Sequence, residues 1–466
     1  MRRQSEFRYS KLAAILREQI YSGFIKPGEF LMSENELCRY YQLSRSSVRK
    51  SLDELLKEGL IVKRAGQGTI VSPDFKVDDS HRKVLRIFAT TPSHYIDTCM
   101  PLILEEFAAA HPNVDVKLLN ISHLNFWDTV RSSGEMGLQP DLVFVTDRQF
   151  HDAEPLEDFI DLSEPLGDEL RGIYPQMVSA FTQNGKLKAV PVTFSTVYLA
   201  YNPDLFAQFG VAEPSPGWTF DAFVDTAAKL TRDTDGDGIV DRYGFSLSTS
   251  ISRWPVIALQ NKVDFRQSQF TGPFIKTLVD IRDLIYRHRV VTLYQPNRYR
   301  INSDAFMKGK AAMVLTTAIE VAGWRNEGMA FEPKIAPLPF GETKATLLVS
   351  NAFMVPKNAN EPELASLFLK HVFRRDVQMR VTEKTRFLSA LHDVNSSLWE
   401  RPYLESLNIV RDRIESGCYL HEMFSDAQLT EELDSELELY WAGLENADEL
   451  VARLGHLLPD AHHKGE

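Results

Sequence analysis

Cysteine is nearly absent: Cys38, Cys99 and Cys418 are the only three in 466 residues. They are odd in number and widely scattered, which excludes a disulfide framework and a clustered thiolate metal site. Long apolar runs are missing too, so there is no stretch of about 18 apolar residues to cross a bilayer. The opening MRRQSEFRYSKL is basic, but no apolar stretch or small-residue cleavage site follows it. No secretory signal is expected, and the chain is expected to work in the cytoplasm. There is no Ser-His-Asp order, no ligating His cluster and no phosphate-cradling glycine loop, so no enzyme is expected. What remains is 44% hydrophobic and 25% charged, the composition of a globular protein. At roughly 100–200 residues per domain, it should form two to four folding units.

Charge is unevenly divided. Residues 1–72 carry 13 Lys and Arg against 8 Asp and Glu, a net of +5, while the remainder carries 39 against 56, a net of −17. Salt screens exposed charges beyond about 8–10 Å, so a basic head on an acidic body can meet a polyanion only through the head.

The head has the parts for that contact. Between Tyr9 and Gly23, Leu12, Ile15, Leu16 and Ile20 recur at helical spacing. A turn at Pro27 and Gly28 precedes SENELCRYY, where Ser33 and Glu36 stand at capping-box spacing and open a second helix. A third helix follows Ser44, with Val48, Leu52, Leu55 and Leu56 expected inward, Arg45, Ser46, Arg49 and Lys50 outward, and Gly59 at its end. Two β-rich pieces, LIVKR and TIV, are then joined by AGQG. Three helices and a ribbon make a winged helix-turn-helix, whose third helix enters the major groove while the ribbon tip reaches the backbone or minor groove. The segments PGEFLMSENELC, YQLSRSSVRKSL and KEGLIVKRAGQGTIV closely resemble the DNA-binding domain of GntR-family bacterial regulators over Phe7–Ser72. That resemblance implies DNA contacts from Ser33, Asn35, Arg45, Ser46, Ser47 and Arg49, and from Gly66, Gln67 and Gly68 on the wing. Asn35 stands where the family usually has Arg, which implies a different operator.

A polar linker is expected over 73–83, and a body over 84–460. VLRIFAT, the stretch through PNVDVKLLNI, and PDLVFVT read as strands alternating with helices, an α/β arrangement with a largely parallel sheet and ligands beyond the strand ends. The collinear series YNPDLF, GWTFDAF, GKAAM and WAGLENADELVARL resembles the sugar-type extracellular solute-binding proteins of ABC transporters. The resemblance implies a bilobal Venus-flytrap domain, and for the whole chain a multidomain α/β fold. It also implies a cleft closing on a small hydroxylated solute, a sugar or oligosaccharide. Aromatic platforms expected there are Trp127, Phe194, Tyr201 and Trp254, with polar partners His94, Asp147, Thr317, Asn351 and Arg386.

DTDGDGIVDRYG sets Asp233, Asp235 and Asp237 at positions 1, 3 and 5 of a calcium loop, with the carbonyl of Ile239 at 7 and Asp241 at 9. Position 12, a bidentate Glu in an EF-hand, is Gly244, so the loop is read as structural whether or not calcium binds; no cofactor is required. The GntR resemblance implies a homodimer on a palindromic double-stranded operator. An alternative body, the pyridoxal-phosphate aminotransferase fold of other GntR-headed regulators, would need a Schiff-base lysine in a Ser/Gly-rich setting. The nearest lysines, Lys308 and Lys310 in FMKGKAAM, lack that setting.

Overall fold

The computed structural model describes residues 12–13, 15–17, 20, 25, 27–40, 43–64, 68–74, 83–123, 125–135, 138–153, 155–266, 272–294, 305–424 and 427–455. Gly66, Gln67, most of the expected first helix and most of the expected linker lie outside the described residues. In the head, α1 (Glu34–Tyr40) starts at the capping box: Ser33 N–H donates to Glu36 Oε2 at 2.8 Å and Glu36 N–H to Ser33 Oγ at 3.3 Å. Helix α2 (Arg45–Lys57) is capped by Ser44, whose side chain accepts from Ser47 N–H, and it ends at Gly59 in a left-handed conformation (φ 73°). Strands β1 (Ile61–Arg64) and β2 (Gly68–Val71) form the antiparallel ribbon, with Ile61 opposite Val71.

The α2 stripe differs from expectation at one position. Val48, Ser51, Leu52 and Leu55 are buried, and Leu56 is 39% exposed. At 100° per residue, Leu56 lies some 80° away from Val48, beyond the arc that faces the core.

The body begins with β3 (Lys83–Thr91), α3 (His94–Thr98), α4 (Met100–Ala110), β4 (Val114–Ser122), α5 (Phe126–Glu135), β5 (Leu142–Thr146) and α6 (Asp147–His151). Further along come β6 (Val190–Tyr201), β7 (Tyr243–Ser248), β8 (Val291–Tyr294), β9 (Ala311–Thr317), α7 (Ala318–Asn326), β10 (Lys334–Ala336), β11 (Thr346–Met354), α8 (Arg375–Thr385) and β12 (Leu388–Ser389). The sheet order is β8-β7-β9-β6-β11-β5-β3-β4. It is mixed, which corrects the expectation of a largely parallel sheet. β4, β3 and β5 are parallel, as are β8, β7 and β9, but β6 and β11 run antiparallel to their neighbours in the middle.

That antiparallel centre makes two lobes from one chain. β6 is buried at all twelve residues, pairing with β11 through Val190–Thr196 and with β9 through Val197–Tyr201. Its alternation serves both cores: Val197, Leu199 and Tyr201 enter the second lobe's core, while Tyr198 and Ala200 join the first. Ala318, Val321, Ala322 and Trp324 of α7 join the first core too, so a helix that follows a second-lobe strand packs against the first lobe.

Candidate nucleic-acid interface and interlobe site

On the head, Arg45, Ser46 and Arg49 stand exposed along α2, and two α1 residues restrain the arginines. An Arg45 guanidinium N–H donates to Asn35 Oδ1 at 2.6 Å, and Arg49 Nε donates to Glu34 Oε2 at 2.8 Å. Asn35 therefore holds a recognition-helix arginine, and Glu34, which the sequence reading did not select, holds the other. Ser46 and Ser47 hydroxyls lie 2.9 and 3.0 Å from that of Ser44, and Ser33 serves the α1 cap. Gly68 opens β2 at φ 122° with the Phe30 ring against it, a backbone that favours glycine.

In the body, strand-end logic brings several expected residues to the lobe boundary. His94 begins α3 behind the Ser93 cap, Asp147 begins α6 behind the Thr146 cap, and Thr317 caps α7 by accepting from Glu320 N–H. Asn351 is buried in β11 opposite Thr146 and Thr193, and the preceding Ser350 N–H donates to Asp147 Oδ1 at 2.9 Å. Ser195 of β6 accepts from Ala318 N–H at 2.8 Å, tying the central strand to the start of α7.

Sequence reasoning missed the boundary's charged pair. Arg253 meets Glu320 at 2.8 Å, and Glu320 also accepts from Thr316 Oγ1. The position of Arg253 five residues past the end of β7 is the only signal that could have selected it. Nearby, His151 and His421 stack at 5.6 Å and line a small recess with Asp147, Arg148 and Thr430. His151 Nε2 and His421 Nδ1 at this recess, and separately His94 Nε2 and Thr196 Oγ1, are buried without a hydrogen-bond partner.

The expected aromatic platforms are elsewhere. Phe194 and Trp254 are fully buried, Phe194 against Tyr174 and Trp254 among Phe265, Phe274 and Trp441. Tyr201 is buried with its hydroxyl on Glu213, and Trp127 packs between Phe126 and Phe159 with Nε1 donating to the Gln149 carbonyl. Phe194, Tyr201 and Trp254 are sealed in the cores, where ring area is most stabilising, and Trp127 is half-buried. Arg386 is exposed on another flank, over the Trp399 ring at 5.2 Å.

Burial pushes the Asp147 carboxyl up to about 6, opposed by the Ser350 amide and the positive charges of Arg253 and Arg148. Between about pH 4 and 6 the folded protein keeps a proton here that the unfolded chain has released. This residue therefore favours folding on the acid side, and that contribution is lost as pH rises through 6. Asp147→Asn should flatten the decline in unfolding free energy between pH 4 and 6 relative to the parent, measured by denaturant titration across that range.

The acidic loop closes on itself. Asp233, Asp235 and Asp237 carboxylates lie within 4.8 Å of one another, but Asp233 accepts from Gly236 and Gly238 N–H and Asp237 from Ile239 N–H. Asp241 accepts from Thr234 and pairs with Arg242.

A family profile described as bacterial extracellular solute-binding protein matches residues 103–402, nearly two thirds of the chain. The chain belongs to that solute-binding protein family. A second profile, bacterial regulatory proteins of the gntR family, matches residues 8–71, so the solute-binding body carries a GntR-type winged helix-turn-helix. The body's membership displaces the aminotransferase-fold alternative. Among solved structures, it resembles an ABC-transporter solute-binding protein of Thermotoga lettingae bound with α-D-tagatose (TM-score 0.68, 17% identity, covering 81% of this chain and 100% of that one). It also resembles the maltose/maltodextrin-binding domain of Bdellovibrio bacteriovorus bound to maltotriose (TM-score 0.66, 17% identity, 80% and 98% covered). At these identities the likeness shows the fold. The curated relatives match through the head. The arabinose metabolism transcriptional repressor of Geobacillus stearothermophilus is 38% identical over 89 residues, 19% of this chain and 24% of that protein. The histidine utilization repressor of Klebsiella aerogenes is 35% identical over 104 residues, 22% and 43%. The chain thus spans less than half the length of either relative. Among the described residues, no helix is long and apolar enough to cross a membrane.

Proposed function

We propose that this chain is a cytoplasmic DNA-binding transcriptional regulator whose solute-binding body senses a sugar or oligosaccharide and is not an enzyme. We divide it into a DNA-binding domain (7–72), a linker (73–83) and an effector domain (84–460). The observation that carries the reading is the union, in one polypeptide, of an exposed Arg/Ser face on α2 with a two-lobed body whose boundary holds unused buried polar atoms. Arg45 and Arg49 are the base- or phosphate-reading arginines, and Gly66, Gln67 and Gly68 are the wing residues that contact DNA in this reading. GntR-type symmetry calls for a homodimer on a palindromic operator. Effector binding must then change head affinity by a coupling free energy of about 1–3 kcal/mol. His94, Asp147, Thr317 and Asn351 are the polar cleft residues in this reading. The Asp233–Asp241 loop is a structural turn.

The test begins with selection of bound sequences from random duplex DNA by the full-length chain. Arg45→Ala should then lose about 1–3 kcal/mol of discrimination at one base pair of each half-site. Mono- and oligosaccharides are next screened for stabilisation of the same chain and for a change in operator affinity. A selected site that is not palindromic would rule out the symmetric dimer, and saccharides that stabilise without altering operator affinity would rule out the regulatory coupling.

A further inference from the structure

We propose that a second recess, on the face of α7 opposite Glu320 and Gly323, binds an anionic group, a carboxylate or phosphate carried by the effector. The proposal deepens the sensing reading, and rests on it only for the identity of the molecule that carries the anion.

Helical periodicity divides α7 into two working faces. Glu320 and Gly323 point toward Arg253 and His94, whereas Ala318, Val321 and Arg325 line the recess with Tyr198. Arg386, which follows α8, and Tyr403 complete the same recess. Guanidinium groups from α7 and from the end of α8 thus line one space.

The acids there are already committed. Arg325 Nε donates to Glu332 at 3.1 Å, and Lys334 Nζ donates to Glu213 at 2.8 and 2.9 Å. Arg386 has no carboxylate partner among the described residues; its guanidinium lies over Trp399, which stacks on Tyr403 at 4.9 Å. The Trp399 Nε1–H is buried with no acceptor. Burial raises the Tyr403 phenol, opposed by the positive charges of Arg325 and Arg386 and reinforced by Glu332. With Arg325 and Lys334 each paired to an acid, Arg386 is the lining cation left without a carboxylate among the described residues. An oxyanion would accept from the Arg386 guanidinium in charge-assisted, fork-shaped geometry.

The test follows thermal unfolding of the full chain at constant ionic strength, with inorganic phosphate, glucuronate, glucose 6-phosphate or glucose added. Saturable stabilisation by at least one anionic probe, exceeding that by glucose, is expected. Its apparent affinity should fall at least tenfold in Arg386→Gly. Arg386 sits at φ 64°, which glycine adopts without strain, so this variant should fold. A response to glucuronate without glucose 6-phosphate would assign a carboxylate, and the reverse a phosphate. Glucose acting as well as either anionic sugar, or an anion response unchanged in Arg386→Gly, would overturn the proposal and leave the sugar reading in place. Stabilisation by phosphate through Arg386 with no saccharide response would keep the recess and remove the sugar reading; silence from every probe would overturn both.

Discussion

Gly323→Ala should disrupt the packing of α7 against α3 in the first lobe. A Cβ on residue 323 would sit 2.2 Å from His94 Nδ1, 2.3 Å from its Cγ and 2.4 Å from its Cε1. The obstacle is a rigid ring held at the start of a capped helix, not the free end of a flexible side chain. The same contact is fastened by Asn326 Nδ2 donating to Thr98 Oγ1 at 3.1 Å, and by His94 Nδ1 standing 3.8 Å from Glu327. Because α7 and α3 both pack on the first core, relief of the clash must come from shifting α7 away from α3 or expelling the imidazole. Overpacking of this kind costs about 1–3 kcal/mol. The expected result is a lower melting temperature and a lower unfolding free energy. His94→Ala removes the obstacle, so adding Gly323→Ala to it should cost much less, and the two substitutions should be strongly non-additive. The same loss of stability in the His94→Ala background would show that the imidazole is not what Gly323 accommodates.

The head was legible because each of its elements is punctuated locally. Ser33 with Glu36, Ser44 and Gly59 mark helix ends by chemistry that acts within one turn. Leu56 escaped because apolar identity at a stripe's edge does not say on which side of the edge a residue falls. In the body, strand-end reasoning selected His94 and Asp147, since residues following parallel strands converge whatever the rest of the chain does. It passed over the Arg253–Glu320 pair although β7 and β9, which these residues follow, are parallel neighbours, because Arg253 stands five residues past its strand end. The parallel-sheet expectation failed for another reason, the antiparallel strands at the centre. β6 and β11 have the continuous apolar character of buried strands, and that character carries no information on direction. The recess around Arg386 was invisible for a third reason: its donors lie on α7, β6 and a helix beyond α8, and nothing in their spacing links them.

Aromatic residues show most sharply what sequence leaves open, and Trp254 can decide between the two uses. Trp254→Ala should destabilise the second lobe by about 3–5 kcal/mol, because it empties a fully buried site among Phe265, Phe274 and Trp441. The loss should be the same with and without saccharide, as expected of a core residue. Trp254→Phe should cost much less. It retains a ring, and it also removes an indole Nε1–H that is buried without a partner, a donor whose desolvation carries a penalty of about 1–3 kcal/mol. The measurement is denaturant unfolding of parent, Trp254→Ala and Trp254→Phe, followed by saccharide titration of each variant while folded. A folded Trp254→Phe that keeps saccharide affinity assigns the ring to the core. If instead it keeps parental stability but loses saccharide affinity at least tenfold, the ring contacts the ligand in a more open arrangement of the lobes, and the cleft must then extend behind the Arg253–Glu320 pair.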